Sequence, residues 1–273
     1  MEQSSLILGV GGLISGILAG FLGIGGGTVL VPLMVALGFT PLQAVATSSL
    51  SILITSLTGS FQNWRMGYLS PRRVLLLGFP AVVTAQLGTL VASGVPPYIL
   101  LLAFGILLLV NVYLVGVRKR VTAQKSLQEA QAGEAAQTAD AAAAETLPLN
   151  PLAARLITGG TAGFLAGLFG IGGGVIMVPL QILLLGETIK MAVRTSLGVI
   201  VITAVSACVG HALQGNVLFE PGLLLGVGGL IGVQISTRFL PRLSDKMVSW
   251  LFRTMLGILA VYIFWQAWQS YSA

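Results

Sequence analysis

Charge is what this chain has least of. Asp, Glu, Lys and Arg together make up 8% of its 273 residues, against about a quarter in an ordinary soluble domain. A water-facing surface cannot be assembled from so few charges, and the long apolar runs that fill the chain place it in lipid. It has one cysteine, Cys208, inside an apolar run, which excludes an intramolecular disulfide, and one histidine, His211, too few for a His/Cys metal cluster. No Asp or Glu falls within an apolar run: Glu2, Glu187, Glu220 and Asp245 lie at ends or in loops. The usual intramembrane carboxylate relay for protons is therefore missing. There is no nucleophile–base pair and no phosphate loop, since no Lys-Ser/Thr follows the glycine runs and no strand precedes them. The sequence points to no enzyme, no cofactor and no metal. The net charge of +6 does not indicate nucleic acid, because the Lys and Arg residues sit between the apolar runs instead of on one face. The first apolar run is too long for the core of a leader peptide and has no basic segment before it, so no cleaved leader is expected.

What is present is a repeat. Residues 16–33 read GILAGFLGIGGGTVLVPL and residues 163–180 read GFLAGLFGIGGGVIMVPL, an offset of 147 without a gap. The same offset pairs Ser49-Leu50 with Ser196-Leu197; after a shift of one residue, Asn63 pairs with His211, Gly67 with Gly215 and Gln86 with Gln234. The chain thus divides into a first membrane repeat, 1–117, a polar linker, 118–150, and a second repeat, 151–273. The linker carries Glu129, Glu134, Asp140 and Glu145, too many charges to span a bilayer, and reads as solvated chain.

Each half has four apolar blocks: 6–37, 42–61, 74–95 and 98–117 in the first, 157–185, 196–213, 223–237 and 248–268 in the second. Lipid-exposed backbone must satisfy its own hydrogen bonds, so all are read as helical. Thr40-Pro41 marks a capped helix start. The first block of each half exceeds the roughly 20 residues needed to cross a bilayer, and its centre is Gly-Ile-Gly-Gly-Gly, a poor helix former. It is either one broken, tilted span or a re-entrant hairpin. As a single span it would give four crossings per half and put Lys190, Arg194, Arg238, Arg242 and Lys246 on the face opposite Arg65, Arg72 and Arg73. As a hairpin it leaves three crossings, inverts the second half, and gathers every loop Lys and Arg on one side, which the positive-inside tendency favours. The expected fold is an all-α integral membrane protein of the cell (inner) membrane. It has two inverted repeats, each a glycine-broken helix pair, re-entrant or a single broken span, plus three transmembrane helices, with the linker cytoplasmic.

The doubled G-x-L-A-G-x-x-G-I-G-G-G-x-x-x-V-P-L signature resembles the TauE/SafE sulfite exporter family. So do Ala46-Thr47-Ser48-Ser49-Leu50, Arg194-Thr195-Ser196-Leu197 and His211 followed by Gly215. The resemblance covers both halves and leaves out the linker. It implies transport of small sulfur-containing or organic anions such as sulfite, sulfoacetate, sulfonates or thiosulfate. Asn63 stands where the second half has His211, so any histidine role belongs to one half only. Other functions open to the same sequence are an anion channel using the same helix-terminus site and a non-transporting membrane subunit.

The glycine breaks are the leading candidates for the anion site. A helix start presents unpaired N–H groups and a positive dipole end, and glycine lets a ligand approach the backbone. Gly25, Gly26, Gly27 and Thr28, with Gly172, Gly173 and Gly174, are assigned to it; at Gly26 and Gly173 a side chain is expected to harm binding more than folding. Gly12, Gly16, Gly20, Gly159, Gly163 and Gly167 have the spacing of helix packing contacts. Thr47, Ser48, Ser49 and their counterparts Arg194, Thr195, Ser196 either bind an oxyanion or cap helices. Gln86 and Gln234 either contact the anion or link helices. Asn63 and His211 have a structural role or one in coupling or gating. Arg253 snorkels to the interface, where Trp250, Trp265 and Trp268 also belong. The expected partners are a small anion and the lipid bilayer.

Overall fold

The computed structural model describes residues 2–113 and 150–272, which form helices joined by short turns. The linker, apart from Asn150, lies outside the described residues. The first half comprises α1 (Glu2–Leu22), α2 (Gly27–Ala36), α3 (Pro41–Arg65), α4 (Pro71–Gly94) and α5 (Pro97–Tyr113); the second comprises α6 (Pro151–Phe169), α7 (Gly174–Leu184), α8 (Ile189–Leu213), α9 (Phe219–Phe239) and α10 (Asp245–Ser272). Among the described residues six helices (α3, α4, α6, α8, α9 and α10) are long and apolar enough to cross a membrane, and the Leu6–Leu22 part of α1, α2, α5 and α7 are shorter apolar helices. This is an all-α, multi-pass membrane protein.

Several helices start earlier than hydropathy suggests. Thr40 caps α3 by accepting from the Gln43 amide at 3.3 Å, while Gln43 Oε1 accepts from the Thr40 amide at 3.2 Å, a reciprocal capping box. Thr188 makes the matching cap on α8, accepting from the Met191 amide at 3.4 Å. That cap brings Lys190 and Arg194 into the first turns of α8, ahead of the apolar stretch expected from Ser196 onward. Likewise α6 begins behind Asn150, whose side chain accepts from the Leu152 amide at 3.0 Å.

Two glycine seams tie the halves together. A side chain on Gly12 would strike the carbonyl of Leu225, one on Gly16 that of Gly229, and one on Gly20 the Ser236 hydroxyl. Residue numbers rise together, so α1 runs parallel to α9. In the same manner Gly159, Gly163 and Gly167 of α6 lie against the carbonyls of Leu77, Ala81 and Ala85 of α4, again parallel. Small residues permit this backbone approach, which drives helix association where lipid offers no hydrophobic contrast. The packing assigned to these glycines from their spacing is what the structure shows.

The remaining directions follow from the same kind of register. Leu218 N–H donates to Thr47 Oγ1 at 3.0 Å, and Gly222, Gly226 and Gly229 meet Leu50, Ile54 and Thr55 in turn, so α3 is parallel to α9. Gly198 meets Val74, Gly78 meets Ile202, and Gly210 meets Thr89, so α4 is parallel to α8. Between α3 and α8 the order reverses, with Ile52 beside Ile200 and Gly59 beside Leu197. Within each break region the short helix turns back: Gly26 lies on Ser15, and Gly11 faces Leu33, so α2 descends alongside α1.

Charge collects at one end. Arg73 pairs with Glu187 at 3.4 Å and Lys190 with Asp245 at 3.5 Å; Lys190 also donates to the Pro241 carbonyl at 3.4 Å, and the Arg194 guanidinium lies 3.7 Å from the centre of the Tyr68 ring. The α3–α4, α7–α8 and α9–α10 turns therefore share one end of the bundle. The opposite end, where Thr47 meets Leu218, carries no Lys or Arg in the 37–40, 95–96 or 214–218 turns.

Candidate functional site

The two glycine breaks meet at mid-depth. Ile52 and Ile200, at the centres of the 25-residue helices α3 and α8, flank both: a side chain on Gly25 would lie 3.1 Å from Ile52 and 3.2 Å from Ile200, and one on Gly172 2.8 Å from Ile200 and 3.0 Å from Ile52. Gly27, opening α2, faces the Gly170 carbonyl and lies 2.6 Å from Ile171 Cα; Gly174, opening α7, faces the Gly23 carbonyl and lies 2.8 Å from Ile24 Cα, all measured from an added Cβ. Each short helix thus begins against the other half's break.

The helix starts are bare. Gly26 (φ 85°) and Gly173 (φ 76°) cap α2 and α7 without a side-chain hydrogen bond. Both sit in the left-handed region that glycine occupies without penalty. The first N–H groups of α2 and α7 have no carbonyl of their own helix to bond. Gly26 and Gly173 are also closely packed: a side chain would strike the Ser15 hydroxyl in one case and the Ala162 carbonyl in the other. Substitution there strains the fold as well as any bound ligand, which narrows the contrast with Gly16 and Gly163 expected from the sequence.

Hydroxyls hold the breaks in place. Ser48 Oγ donates to the Gly170 carbonyl at 2.8 Å, Thr203 Oγ1 to the Gly172 carbonyl at 3.0 Å, and Ser15 Oγ to the Gly26 carbonyl at 2.9 Å. Ser15 and Thr203 did not stand out in the sequence; their signal is a hydroxyl inside an apolar run, which helical proteins use in too many ways to be diagnostic. Two further hydroxyls, Thr28 Oγ1 and Ser51 Oγ, are fully buried and have no hydrogen-bond partner among the described residues.

The other candidates divide. Ser49 Oγ donates to its own helix, at the Val45 carbonyl, 3.1 Å; Thr195 is buried, and Ser196 Oγ accepts from Gln181 Nε2 at 3.0 Å. Thr47 is committed to the α8–α9 turn, and Arg194 to Tyr68. Gln86 Nε2 donates to the Ser206 carbonyl at 2.6 Å and its hydroxyl at 3.0 Å, joining α4 to α8. Its repeat mate Gln234 is half-buried on α9. His211 Nε2 lies 2.9 Å from the Gly167 carbonyl, so it carries the proton in that contact. Asn63, its counterpart, is fully buried with neither amide atom bonded among the described residues. Asn63 and His211 each lie about 16 Å along their helix from Ile52 and Ile200, at opposite ends; the His211 ring reaches α6 one turn before the second break, at Gly167. No charged side chain is buried among the described residues. No group of three His, Cys, Asp or Glu comes together there either. A ligand at the breaks meets neutral donors and helix dipoles.

The profile described as "Sulfite exporter TauE/SafE" matches residues 8–263. A "Probable membrane transporter protein YunE" of Bacillus subtilis is 26% identical over 97% of this chain and 98% of its own length. A "Probable membrane transporter protein" of Xylella fastidiosa is 28% identical over 99% of both. A further "Probable membrane transporter protein", of Methanocaldococcus jannaschii, is 23% identical over 92% of each chain.

Proposed function

Because this chain belongs to the sulfite exporter TauE/SafE family and is a membrane transporter of that kind, we propose that it is a secondary permease for small sulfur-containing or organic anions: sulfite, sulfoacetate, sulfonates or thiosulfate. The observation that carries the reading is the pair of uncapped helix starts, α2 and α7, lying back to back at mid-depth. Aligned peptide dipoles leave about half a positive charge at a helix start, with N–H groups aimed outward. With no charged side chain buried among the described residues, this is the main attraction the fold offers an anion.

Alternating access needs two halves that can exchange roles. The opposed directions of α3 and α8, and of α4 and α9, support halves inverted with respect to one another. The gathering of Arg65, Arg72, Arg73, Lys190, Arg194, Arg238, Arg242 and Lys246 toward one end supports that end as cytoplasmic, in the inner membrane of the cell. Reporters placed in the linker and after Ala273 test the arrangement: opposite faces are expected, and the same face overturns it. Uptake by proteoliposomes from a panel of labelled anions tests the function. Sulfonates or sulfite are expected to enter at carrier rates; large currents would indicate a channel, and no flux of any anion a subunit without transport.

A further inference from the structure

We infer that a single, singly charged oxyanion is held at the start of α2, by Thr28, Ser51 and the first N–H groups of that helix, and that the mirrored start of α7 holds none. The inference rests on the transport reading above and says where in the doubled site the substrate sits and what charge it bears.

The two breaks match in backbone but differ in side chains. The buried hydroxyls around them are mostly committed: Ser48 to Gly170, Ser49 to Val45, Thr55 to the Ser51 carbonyl at 2.9 Å, Thr203 to Gly172. Thr28 Oγ1 and Ser51 Oγ are the exceptions beside α2, each fully buried and without a partner among the described residues. Thr28 lies in the first turn of α2, next to Gly27. Ser51 is one residue before Ile52, whose side chain touches Gly25 and Gly27, and three after Ser48, which bonds the opposing break. Helix spacing puts Ser48, Ser51, Ile52 and Thr55 on one face of α3. Register thus puts Ser51 on the side of α3 that carries Ser48 and Ile52 against the breaks, and Thr28 in the first turn of α2, whose leading N–H groups have no carbonyl of their own helix.

The second half is the internal control. At the break offset of 147, Thr28 becomes Val175; the 25-residue helices α3 and α8 correspond at 148, as their caps Thr40 and Thr188 do, and there Ser51 becomes the fully buried Val199. Val175 is fully buried in a helix start of the same geometry, so the fold is satisfied by an apolar side chain there. A hydroxyl buried without a partner is a cost to the fold that valine of the same shape avoids. The two hydroxyls are explained by a ligand that accepts from them, as the oxygens of an oxyanion do.

Charge follows from what surrounds the site. Arg194, the nearer to the breaks of the two basic residues in the first turns of α8, precedes Ile200 by six residues, about 9 Å along the helix, and is stacked on Tyr68. His211 is engaged with Gly167. The donors at α2 are neutral, and the helix start is equivalent to about half a charge. A second negative charge on the ligand would be buried without compensation. A sulfonate or hydrogensulfite fits; sulfate does not.

The experiment uses the full-length protein with labelled methanesulfonate, a permanent monoanion, and labelled sulfate, a dianion, in binding and proteoliposome uptake. Wild type is expected to bind one methanesulfonate per chain and to be little inhibited by sulfate. Thr28→Val is expected to weaken methanesulfonate about tenfold, the loss of one hydrogen bond to an anion, while melting at an equal or higher temperature. Thr28→Ser should bind as wild type does, and Val175→Ala should leave affinity unchanged. Unaltered binding in Thr28→Val, two anions per chain, or sulfate taken up as well as methanesulfonate would overturn the inference and leave the transport reading intact. Wild type that moves neither anion, nor any other in the panel, would overturn both. A Thr28→Val protein that melts lower, with Thr28→Ser failing to restore binding, would make Thr28 a structural residue and overturn the site.

Discussion

Ser48, in the first half, donates a hydrogen bond of 2.8 Å to the carbonyl of Gly170, in the break of the second half. It is a direct side-chain link between the halves at the level of the breaks. Ser49, one residue on, bonds only its own helix. Ser48→Ala leaves the Gly170 carbonyl buried without that donor and is expected to cost about 1–2 kcal/mol. Ser49→Ala should cost less than about 0.5 kcal/mol, since a back-bond to the i−4 carbonyl adds little to a helix. Thermal unfolding of the two variants in the same detergent checks the order.

Gly26→Ala and Gly173→Ala should both destabilise, but unequally. Each pays about 1 kcal/mol for a side chain at positive φ. At Gly26 the added Cβ meets a hydroxyl that can rotate, on Ser15; at Gly173 it meets the Ala162 main chain, which cannot give way without moving α6. Gly173→Ala is therefore expected to lose a further 1–3 kcal/mol or so, the range for overpacking. Adding Ser15→Ala to Gly26→Ala should recover part of the loss, and melting curves of the three proteins decide it.

The paired glutamines should behave differently. Gln86→Ala removes two hydrogen bonds to Ser206 and should lower stability by about 1–2 kcal/mol. Gln234→Ala, on a half-buried position of α9, should be within about 0.5 kcal/mol of wild type. Equal losses would show that Gln234 makes an equivalent contact.

Glu187 supplies a pH dependence. Burial raises its carboxyl above the ordinary value, and the attraction of Arg73 and then Arg155 only partly offsets this. Folded protein holds the proton more tightly than unfolded protein, so Glu187 favours the folded state at pH below the ordinary carboxylate value. That contribution is lost as pH rises through the raised value. Glu187→Gln should flatten the fall in melting temperature over this interval; an unchanged profile would assign the dependence elsewhere.

His211→Gln keeps a donor for the Gly167 carbonyl and should leave substantial transport, whereas His211→Ala should lose stability first. Loss of flux in the Gln variant, with folding and anion binding intact, would make His211 a coupling residue.

How much of this was legible in the sequence depends on the scale of the feature. The doubled glycine signature announced the repeat, the family and the two breaks, because three adjacent glycines have few uses in a membrane helix. The seam glycines were legible from spacing alone. Helix ends were less so: Lys190 and Arg194 look like loop residues by hydropathy, and only the Thr188 cap shows that they are helical. The commitments of Thr47, Gln86 and Ser48 were not legible at all. Each bonds a partner more than a hundred positions away, and a hydroxyl or amide in an apolar run looks the same whether it links helices or waits for a ligand.

The seams have a consequence for biogenesis. The first helix of the chain finds its close partner in α9, which leaves the ribosome nearly last, and α6 closes on α4, made before the linker. During synthesis α1 must wait in the bilayer with the carbonyl-deep grooves at Gly12 and Gly16 filled by lipid or a chaperone. A chain stopped in the linker leaves α1 and α4 facing lipid with surfaces shaped for absent helices. Such a fragment should be cleared by membrane proteases unless the other fragment is made in the same cell, in which case the two should associate and survive together.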